Sequence, residues 1–529
     1  MSNLNLKKPF GVDSVRPASE ASRAPGEVQC AREVHFDMVL SAELSPLGDG
    51  RGDAEAPASS ERTALQQQPD AAPSMHPMFA VVFALNYMMG SGYLTLPKAY
   101  ADAGLYWGIG MTLFMAVGAT VSAECILDAM DRAEWVSAAR GHPPRGGSFY
   151  HLASAAGAPS RQQRANPRPA QLPDLCALFL GAGGNAAYLF MLASFMLGSM
   201  WCYAAIFGAA IKTHLGDVFG PNSYAWYVGV FAAVVVPLSL KDLADQKAVQ
   251  SALAFGRQIM LIAMIISSAL CLAHAGPVEA MPERDSPFSG VAALAPIVAF
   301  SFTLHHSVPQ IVAPVKAATP FTLNRVFRSA FASAACIYVG FAAPVSLLFG
   351  RATRAAANLD WATYHHVPNG ADPRDRYWVL IASGVAKFIV LYPALNVVAT
   401  YPLNAITFGD ALMATYRSWC GARVGGVNPL PPSRSQTSAF RLLAAIPPLA
   451  GAALVSDISA ITGVTGCFGL AMCAIVPGLL ARAAKRAAPG PTPHGSCLNG
   501  PAAALGLSLC GAVLTLTALG AAVGVPFLM

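Results

Sequence analysis

The sequence has few charged residues for its length. Of its 529 residues, 12% are charged, about half the share found in an average soluble chain. Apolar residues make up 54% of the chain, and the mean hydropathy is +0.47. These values exclude a string of soluble domains and predict a polytopic membrane protein. The basic residues are scattered through loops, so the net charge of +6 indicates no nucleic-acid partner.

Other absences narrow the class further. The eleven cysteines show no metal-ligand spacing, so we expect no metal centre built on them. The histidines of the apolar segments are not part of a recognisable catalytic constellation, which argues against a membrane-embedded enzyme that uses His305. Residues 1–75 are polar and lack the apolar core of a signal peptide. We expect a disordered cytosolic N-terminal tail at 1–75 and a transmembrane domain at 76–528.

Eleven apolar segments follow this tail, and each is long enough to cross a bilayer. We predict spans at roughly Met78–Ala101, Trp107–Met130, Leu175–Lys212, Tyr224–Leu240, Ala248–Ala273, Val291–Val315, Val326–Phe349, Tyr377–Leu412, Phe440–Val455, Ile458–Leu480 and Ala502–Leu528. The third span is too long for one perpendicular crossing, so we expect it to tilt or protrude.

Basic residues are more frequent in the loops that follow the even-numbered spans. The positive-inside rule then places the N-terminus in the cytosol. An odd number of spans places the C-terminus on the extracellular or luminal side. Both a plasma membrane and a vacuolar or lysosomal membrane fit this arrangement.

The first span contains a break in its helical pattern, in the segment FALNYMMGSGYLTLPKAYADAG. Gly90, Ser91 and Gly92 interrupt the apolar residues at mid-span. In hydrocarbon, an unwound backbone persists only where it lines a protein cavity. Its free N–H groups and the positive end of the following half-helix suit a carboxylate. The alternative is that these glycines only allow two helices to pack closely.

The sixth span contains a second polar break, at residues Ser301–Gln310. It holds His305, His306 and Pro309 together with three hydroxyl side chains. Proline removes a backbone hydrogen bond and clashes with the preceding turn, so we expect it to interrupt the helix. The two breaks are five spans apart. Interrupted helices at matching positions of two halves are typical of inverted-repeat transporters with a site at the bilayer midplane.

Polar side chains elsewhere in the spans are candidates for ion coupling. Span 8 contains Lys387, Asn396 and Thr400, and a lysine inside a span is costly enough to suggest function. Lys387 also lies near one end of its span, from which it could reach the membrane surface. Asn86 precedes the first break and could either coordinate a cation or bond a neighbouring span. His305 could carry protons or cap the freed backbone as a neutral group.

Several of these motifs together resemble the amino acid/auxin permease family, which includes sodium-coupled and proton-coupled amino acid transporters. The likeness covers about Met78 to Leu528. It rests on the first-span pattern Asn86-x-x-x-Gly90-Ser91-Gly92 with Pro97, on Ser148–Ala153 before span 3, on Phe302-x-x-His305-x-x-Val308, on Tyr401-Pro402-Leu403 and on Ile458–Leu480.

The resemblance implies an all-α, LeuT-type fold with five-plus-five inverted repeats, an eleventh helix and broken helices 1 and 6. It implies binding of an amino acid, with the carboxylate at Gly90, Ser91 and Gly92. The amino group and side chain would face residues 301–304, namely Ser301, Phe302, Thr303 and Leu304. Asn86 would match the asparagine near the sodium site of the sodium-coupled members. The hydroxyl that those members supply from span 8 has no clean counterpart here, where the chain has Leu395 and Asn396.

Our main hypothesis is therefore a secondary active amino acid transporter that works by alternating access, as a symporter coupled to Na⁺ or H⁺. Apart from a coupling ion, with Na⁺ placed at Asn86, no metal or cofactor is expected; the partners are the amino acid and the bilayer. The alternative is an amino acid sensor that keeps the same site and signals through its N-terminal tail.

Overall fold

The structure is a computed structural model that describes residues 75–139, 171–241, 247–277, 287–315, 319–363, 376–423, 433–496 and 499–523. The predicted N-terminal tail lies outside the described residues, except for Met75. The motif at Ser148–Ala153 also lies outside them. The helices are α1 Pro77–Met88, α2 Leu96–Ala103, α3 Leu105–Ala139, α4 Leu172–Leu215, α5 Ser223–Ser239, α6 Lys247–Ala275, α7 Pro287–Phe302, α8 Val308–Val312, α9 Pro320–Phe349, α10 Arg376–Arg423, α11 Arg434–Leu454, α12 Ile458–Leu470, α13 Val476–Ala487 and α14 Pro501–Val523.

Ten helical segments of the described chain are long and apolar enough to cross a membrane, and the bent pair α1 and α2 raises this number to as many as eleven. Among the described residues, the pairing of extended backbone is limited to an isolated bridge between Met75 and Val315. In this bridge the Met75 N–H donates to the Pro314 carbonyl at 2.8 Å. The protein is therefore an all-helical, multi-pass membrane protein. The predicted inverted repeat remains a prediction.

Two irregularities of the helices were not predicted, because the run of apolar residues continues through both of them. The long third span is α4, which has 44 residues and a kink at Gly181, whose φ is +73°. Its excess length is therefore partly taken up by a bend at a residue that tolerates left-handed backbone. The tenth span is divided into α12 and α13 by a π-helical turn at Ala471–Ile475, which its apolar pattern did not reveal.

The buried apolar residues form two main clusters. The larger cluster contains residues of α1, α2, α3, α7 and α9 and also of α4, α6, α10 and α12, and it includes residues at both breaks, such as Tyr93 and Phe302. The second cluster joins α4, α5, α10 and α11 around Phe231 and Tyr401. Helices α4 and α10 therefore contribute to both clusters, and both breaks lie in the larger one.

Buried charges cluster at the end of α3, on the side of the protein where α1 begins. Asp128 is fully buried and pairs with Arg132 at 3.1 Å and with Lys485 of α13 at 3.6 Å. Glu124 pairs with Arg328 of α9 at 2.6 Å. We call this set, which also includes Asp131 with His494 and Glu124 with Ser496, the α3 charge network. It holds the segment after α13 against α3 and α9.

On the opposite side, the segment after α9 folds into the helix bundle. The Trp361 indole N–H donates to Ser267 of α6 at 2.9 Å, and the Asn358 amide donates to the Val390 carbonyl of α10 at 3.1 Å. Asp360 lies between these anchors and accepts bonds from the Arg354 backbone N–H at 3.1 and 3.2 Å. Burial raises the pKa of the Asp360 carboxyl to about 7, against the opposing effects of Arg354 and Lys98.

Removing one carboxylate of the α3 charge network should strongly destabilise the protein. In Asp128→Ala, Arg132 and Lys485 lose a buried partner, which we expect to lower the free energy of unfolding by about 3–5 kcal/mol. The matched control is Asp102→Ala, which removes the exposed Lys98–Asp102 pair and should cost about 0–1 kcal/mol. Thermal unfolding of both purified variants checks this; equal losses would contradict it.

Asp360 should make stability depend on pH. Its pKa in the folded protein lies above the unfolded value of 3.8, so the folded state binds more protons than the unfolded state between these values. The free energy of unfolding should therefore fall by up to about 4 kcal/mol as the pH rises from about 4 to about 7. Asp360→Asn should lack this fall. The measurement is the unfolding midpoint of both proteins across this range, and parallel profiles would refute the assignment.

Candidate functional site

The first break interrupts the backbone between α1 and α2. The last bonds of α1 run from the Met89 N–H to the Leu85 carbonyl at 2.9 Å and from the Gly90 N–H to the Met88 carbonyl at 2.8 Å. A short 3₁₀ turn at Gly92–Thr95 then leads into α2, which is bent by 53° relative to α1. Within the described residues, the N–H groups of Ser91 and Gly92 make no hydrogen bond. Two donors are therefore left open at the break.

The second break lies between α7 and α8, within the predicted segment and directly before Pro309. Helix α7 ends at Phe302, and a 3₁₀ turn at His305–Ser307 leads into α8. Pro309 lies in the first turn of α8, and its ring and missing N–H prevent the helix from continuing back through the preceding turn. The break therefore lies directly on the N-terminal side of Pro309, as the proline predicts. The carbonyls of Phe302 and Thr303 accept no hydrogen bond from described residues.

The two breaks lie directly against each other. A Cβ added to Gly92 would lie 2.5 Å from the Phe300 ring and 3.2 Å from the Ser301 hydroxyl. Ser91 and Ser301 are only 4% and 1% exposed, and Phe302, Thr303 and Leu304 are also buried. The Ser301 and Thr303 hydroxyls donate to carbonyls of α7, at 3.2 and 2.7 Å. The structure therefore brings Gly92 against Ser301, whereas Phe302 packs on Phe331 and Tyr338 of α9 and Thr303 lies beside Cys473.

The two histidines of the second break have different surroundings. The His305 Nε2 lies 3.0 Å from the Ala119 carbonyl of α3, so this nitrogen carries the proton and donates it. The ring also stacks on Phe331. His306 shares a hydrogen bond with the Tyr87 hydroxyl of α1, at 3.1 Å, and lies beside the ring of Phe195. His305 thus connects the second break to α3, and His306 connects it to α1.

The candidates from span 8 lie on α10, and their contacts differ. Lys387 is exposed on the outer surface of α10. Asn396 is buried, and its carbonyl accepts the Thr400 hydroxyl at 2.9 Å. None of the three has a recorded contact with either break among the described residues. Their role in ion coupling stays a prediction. A different α10 side chain, Asn404, bonds Tyr203, whose hydroxyl lies beside Gly90.

Arg257 of α6 is a residue of the site that the sequence analysis missed. Its guanidinium donates to the Asn86 carbonyl at 3.0 Å and also to the Asn86 side-chain oxygen. It is 6% exposed, and the phenols of Tyr93, Tyr203, Tyr338 and Tyr392 lie within electrostatic range. An arginine inside an apolar span was the available signal, the same one that drew attention to Lys387.

No group of three or more His, Cys, Asp or Glu side chains able to hold a metal ion occurs in the described part of the chain. The groups that line the breaks are backbone donors, backbone acceptors, hydroxyls and aromatic rings. This set suits a small zwitterion.

The sequence is similar to those of known membrane proteins. Transmembrane protein 104 from Homo sapiens is 23% identical over 457 residues, covering 77% of this chain and 87% of that protein. The homologue from Dictyostelium discoideum is 22% identical, covering 76% and 87%. A crystal structure of a manganese transporter from Eremococcus coleocola matches with a TM-score of 0.47 and 13% identity, over 85% of this chain and 87% of that one.

The family model described as transmembrane amino acid transporter protein matches residues 75–486. This range includes both breaks, Arg257 and those residues of the α3 charge network that lie on α3. The match confirms the resemblance inferred from the first-span motif and its companions. The chain belongs to the transmembrane amino acid transporter family.

Proposed function

We propose that this protein is a secondary active transporter that carries an amino acid across the membrane by alternating access. The single observation that carries the proposal is that the first break has open backbone donors and the second break has open backbone acceptors. Ser91 and Gly92 present N–H donors, and Phe302 and Thr303 present carbonyl acceptors. A zwitterion supplies the complementary carboxylate and ammonium.

The electrostatics of the half-helices support this orientation of the substrate. The carboxylate would lie at the break that precedes α2, where the N-terminal end of a half-helix carries partial positive charge. The ammonium would lie at the end of α7, where unpaired carbonyls carry partial negative charge. The side chain of the substrate would then face the aromatic rings of Phe195 and Phe300, which lie 5.6 Å apart.

The burial of the site supports alternating access. Ser91, Ser301 and Thr303 are each 5% exposed or less, so a substrate enters or leaves only after the surrounding helices move. In transporters built from broken helices, one bundle rocks against the rest of the protein around a fixed site. We expect the helices that carry the breaks and their neighbours α3 and α9 to rock against the remaining helices. The inverted repeat and the coupling to Na⁺ or H⁺ are part of the same proposal.

Gly92→Ala should abolish substrate binding. Its methyl group would press into the Phe300 ring and the Ser301 hydroxyl, closing the approach to the open N–H groups. We expect uptake to fall by about tenfold or more, at a stability cost of about 1–3 kcal/mol. Gly118→Ala is the control because nothing lies within 4 Å of its added carbon. Uptake by both variants is measured at equal surface amounts, and wild-type uptake by Gly92→Ala would place the site elsewhere.

The direct test is uptake of pooled labelled amino acids into proteoliposomes under a Na⁺ gradient and then under a pH gradient. We expect saturable uptake that is lost in the Gly92→Ala variant. Saturable binding without uptake under either gradient would instead favour the sensor, which keeps the site but moves no solute. Absence of both binding and uptake would refute the proposed function.

A further inference from the structure

We propose that the guanidinium of Arg257 serves as a permanently attached cation at the first break. It occupies the place at the end of α1 that the sequence assigned to Na⁺, so substrate movement does not require Na⁺. The inference rests on the proposed function, because it concerns what drives amino acid transport. It identifies Arg257 as the residue that takes the place of Na⁺, which leaves H⁺ as the coupling ion of the proposed transporter.

The position of the guanidinium is that of a coordinated cation. Asn86 lies among the last four residues of α1, whose carbonyls lose their helical partners where the helix ends. Such half-helix ends and unwound carbonyls are the groups that coordinate Na⁺ in transporters with broken helices. Here the Asn86 carbonyl and the Asn86 side-chain oxygen both accept from Arg257. Two of the oxygens that a sodium ion needs at this break are therefore already occupied.

The local charge also opposes a second cation. The ion pairs recorded in the described part of the chain do not include Arg257, so no described carboxylate cancels its charge. The negative end of α1 and the surrounding phenols offset it instead. Repulsion between two unit charges about 4 Å apart in a protein interior would lower the affinity for Na⁺ by about a thousandfold.

The surroundings of Arg257 connect this cation to the second break. Tyr338 of α9 lies in electrostatic range of the guanidinium, and its hydroxyl donates to the Ser301 carbonyl at 2.8 Å. Tyr392 of α10 also lies in range and bonds the Leu253 carbonyl of α6. The guanidinium is therefore placed where α1, α6, α9 and α10 approach one another. A cation there can stabilise the closed arrangement of both breaks.

A covalently attached cation differs from Na⁺ in its energetic role. Arginine does not lose its proton in proteins, so it neither dissociates nor carries a proton across the membrane. It can hold the break together but cannot transmit the energy of an ion gradient.

The test combines transport with a thermal stability measurement that does not depend on transport. Wild-type protein in proteoliposomes should show the same amino acid uptake in Na⁺ as in choline, and its unfolding midpoint in detergent should show no saturable rise with Na⁺.

Arg257→Ala leaves the Asn86 oxygens without a donor, so we expect uptake to fall by about tenfold or more. Free guanidinium at millimolar concentration should restore part of both uptake and thermal stability. Gln258→Ala is the matched control, because it removes a neighbouring polar side chain of α6 but no charge. Its ion dependence should be that of wild type.

A saturable rise of the wild-type unfolding midpoint with Na⁺, absent with choline, would overturn the proposal even if Arg257→Ala failed to fold. Restoration of Arg257→Ala by choline as effectively as by guanidinium would also overturn it, since the site would then not select for the lost group. If no amino acid is taken up or bound, the proposed function fails. The stability measurements on wild type would still decide whether Na⁺ binds beside Arg257.

Discussion

The need to satisfy backbone hydrogen bonds inside a bilayer governs this structure. Two helices are broken at mid-membrane, and each break frees groups that water cannot reach. The protein fills some of them with its own side chains, since Arg257 donates to the Asn86 carbonyl and Tyr338 donates to the Ser301 carbonyl. Others stay open, on Ser91, Gly92, Phe302 and Thr303. The open groups define the site, because an unpaired buried polar group is costly until a ligand bonds it.

The side chains around the breaks also decide how the two helices are tied to the rest of the bundle. Arg257 ties the first break to α6, and His305 and Tyr338 tie the second break to α3 and α9. The Met75–Pro314 backbone bond joins the segments that flank α1 and α8. A movement that opens the site must therefore lengthen or exchange a small number of specific hydrogen bonds. The alternating access proposed here is localised at these contacts.

The sequence allowed the helical class, the approximate spans and the positions of both breaks to be predicted, because glycine pairs and polar clusters stand out in apolar segments. It did not reveal the kink at Gly181 or the π-helical turn, since neither changes the apolar pattern. It placed the second break at the polar cluster that contains Pro309, and the break lies directly before this proline, which is in the first turn of the next helix. The α3 charge network was also missed, because most of its pairs join residues that are more than 200 positions apart, such as Glu124 with Arg328 and Asp131 with His494. Such contacts depend on tertiary packing rather than on local pattern.

Arg257 shows why an intramembrane charge has to be interpreted through its partners. In the α3 charge network, buried cations lie against carboxylates, and their role is to join segments. Arg257 has oxygen acceptors of amide type and aromatic hydroxyls around it instead, at a helix end. A cation held by amide oxygens resembles a bound metal ion in its coordination, but its covalent link prevents it from being exchanged. In the role proposed for Arg257, the same contacts that stabilise the broken helix would take the place of an exchangeable ion, and a sodium gradient would then have no bound ion through which to do work at this site.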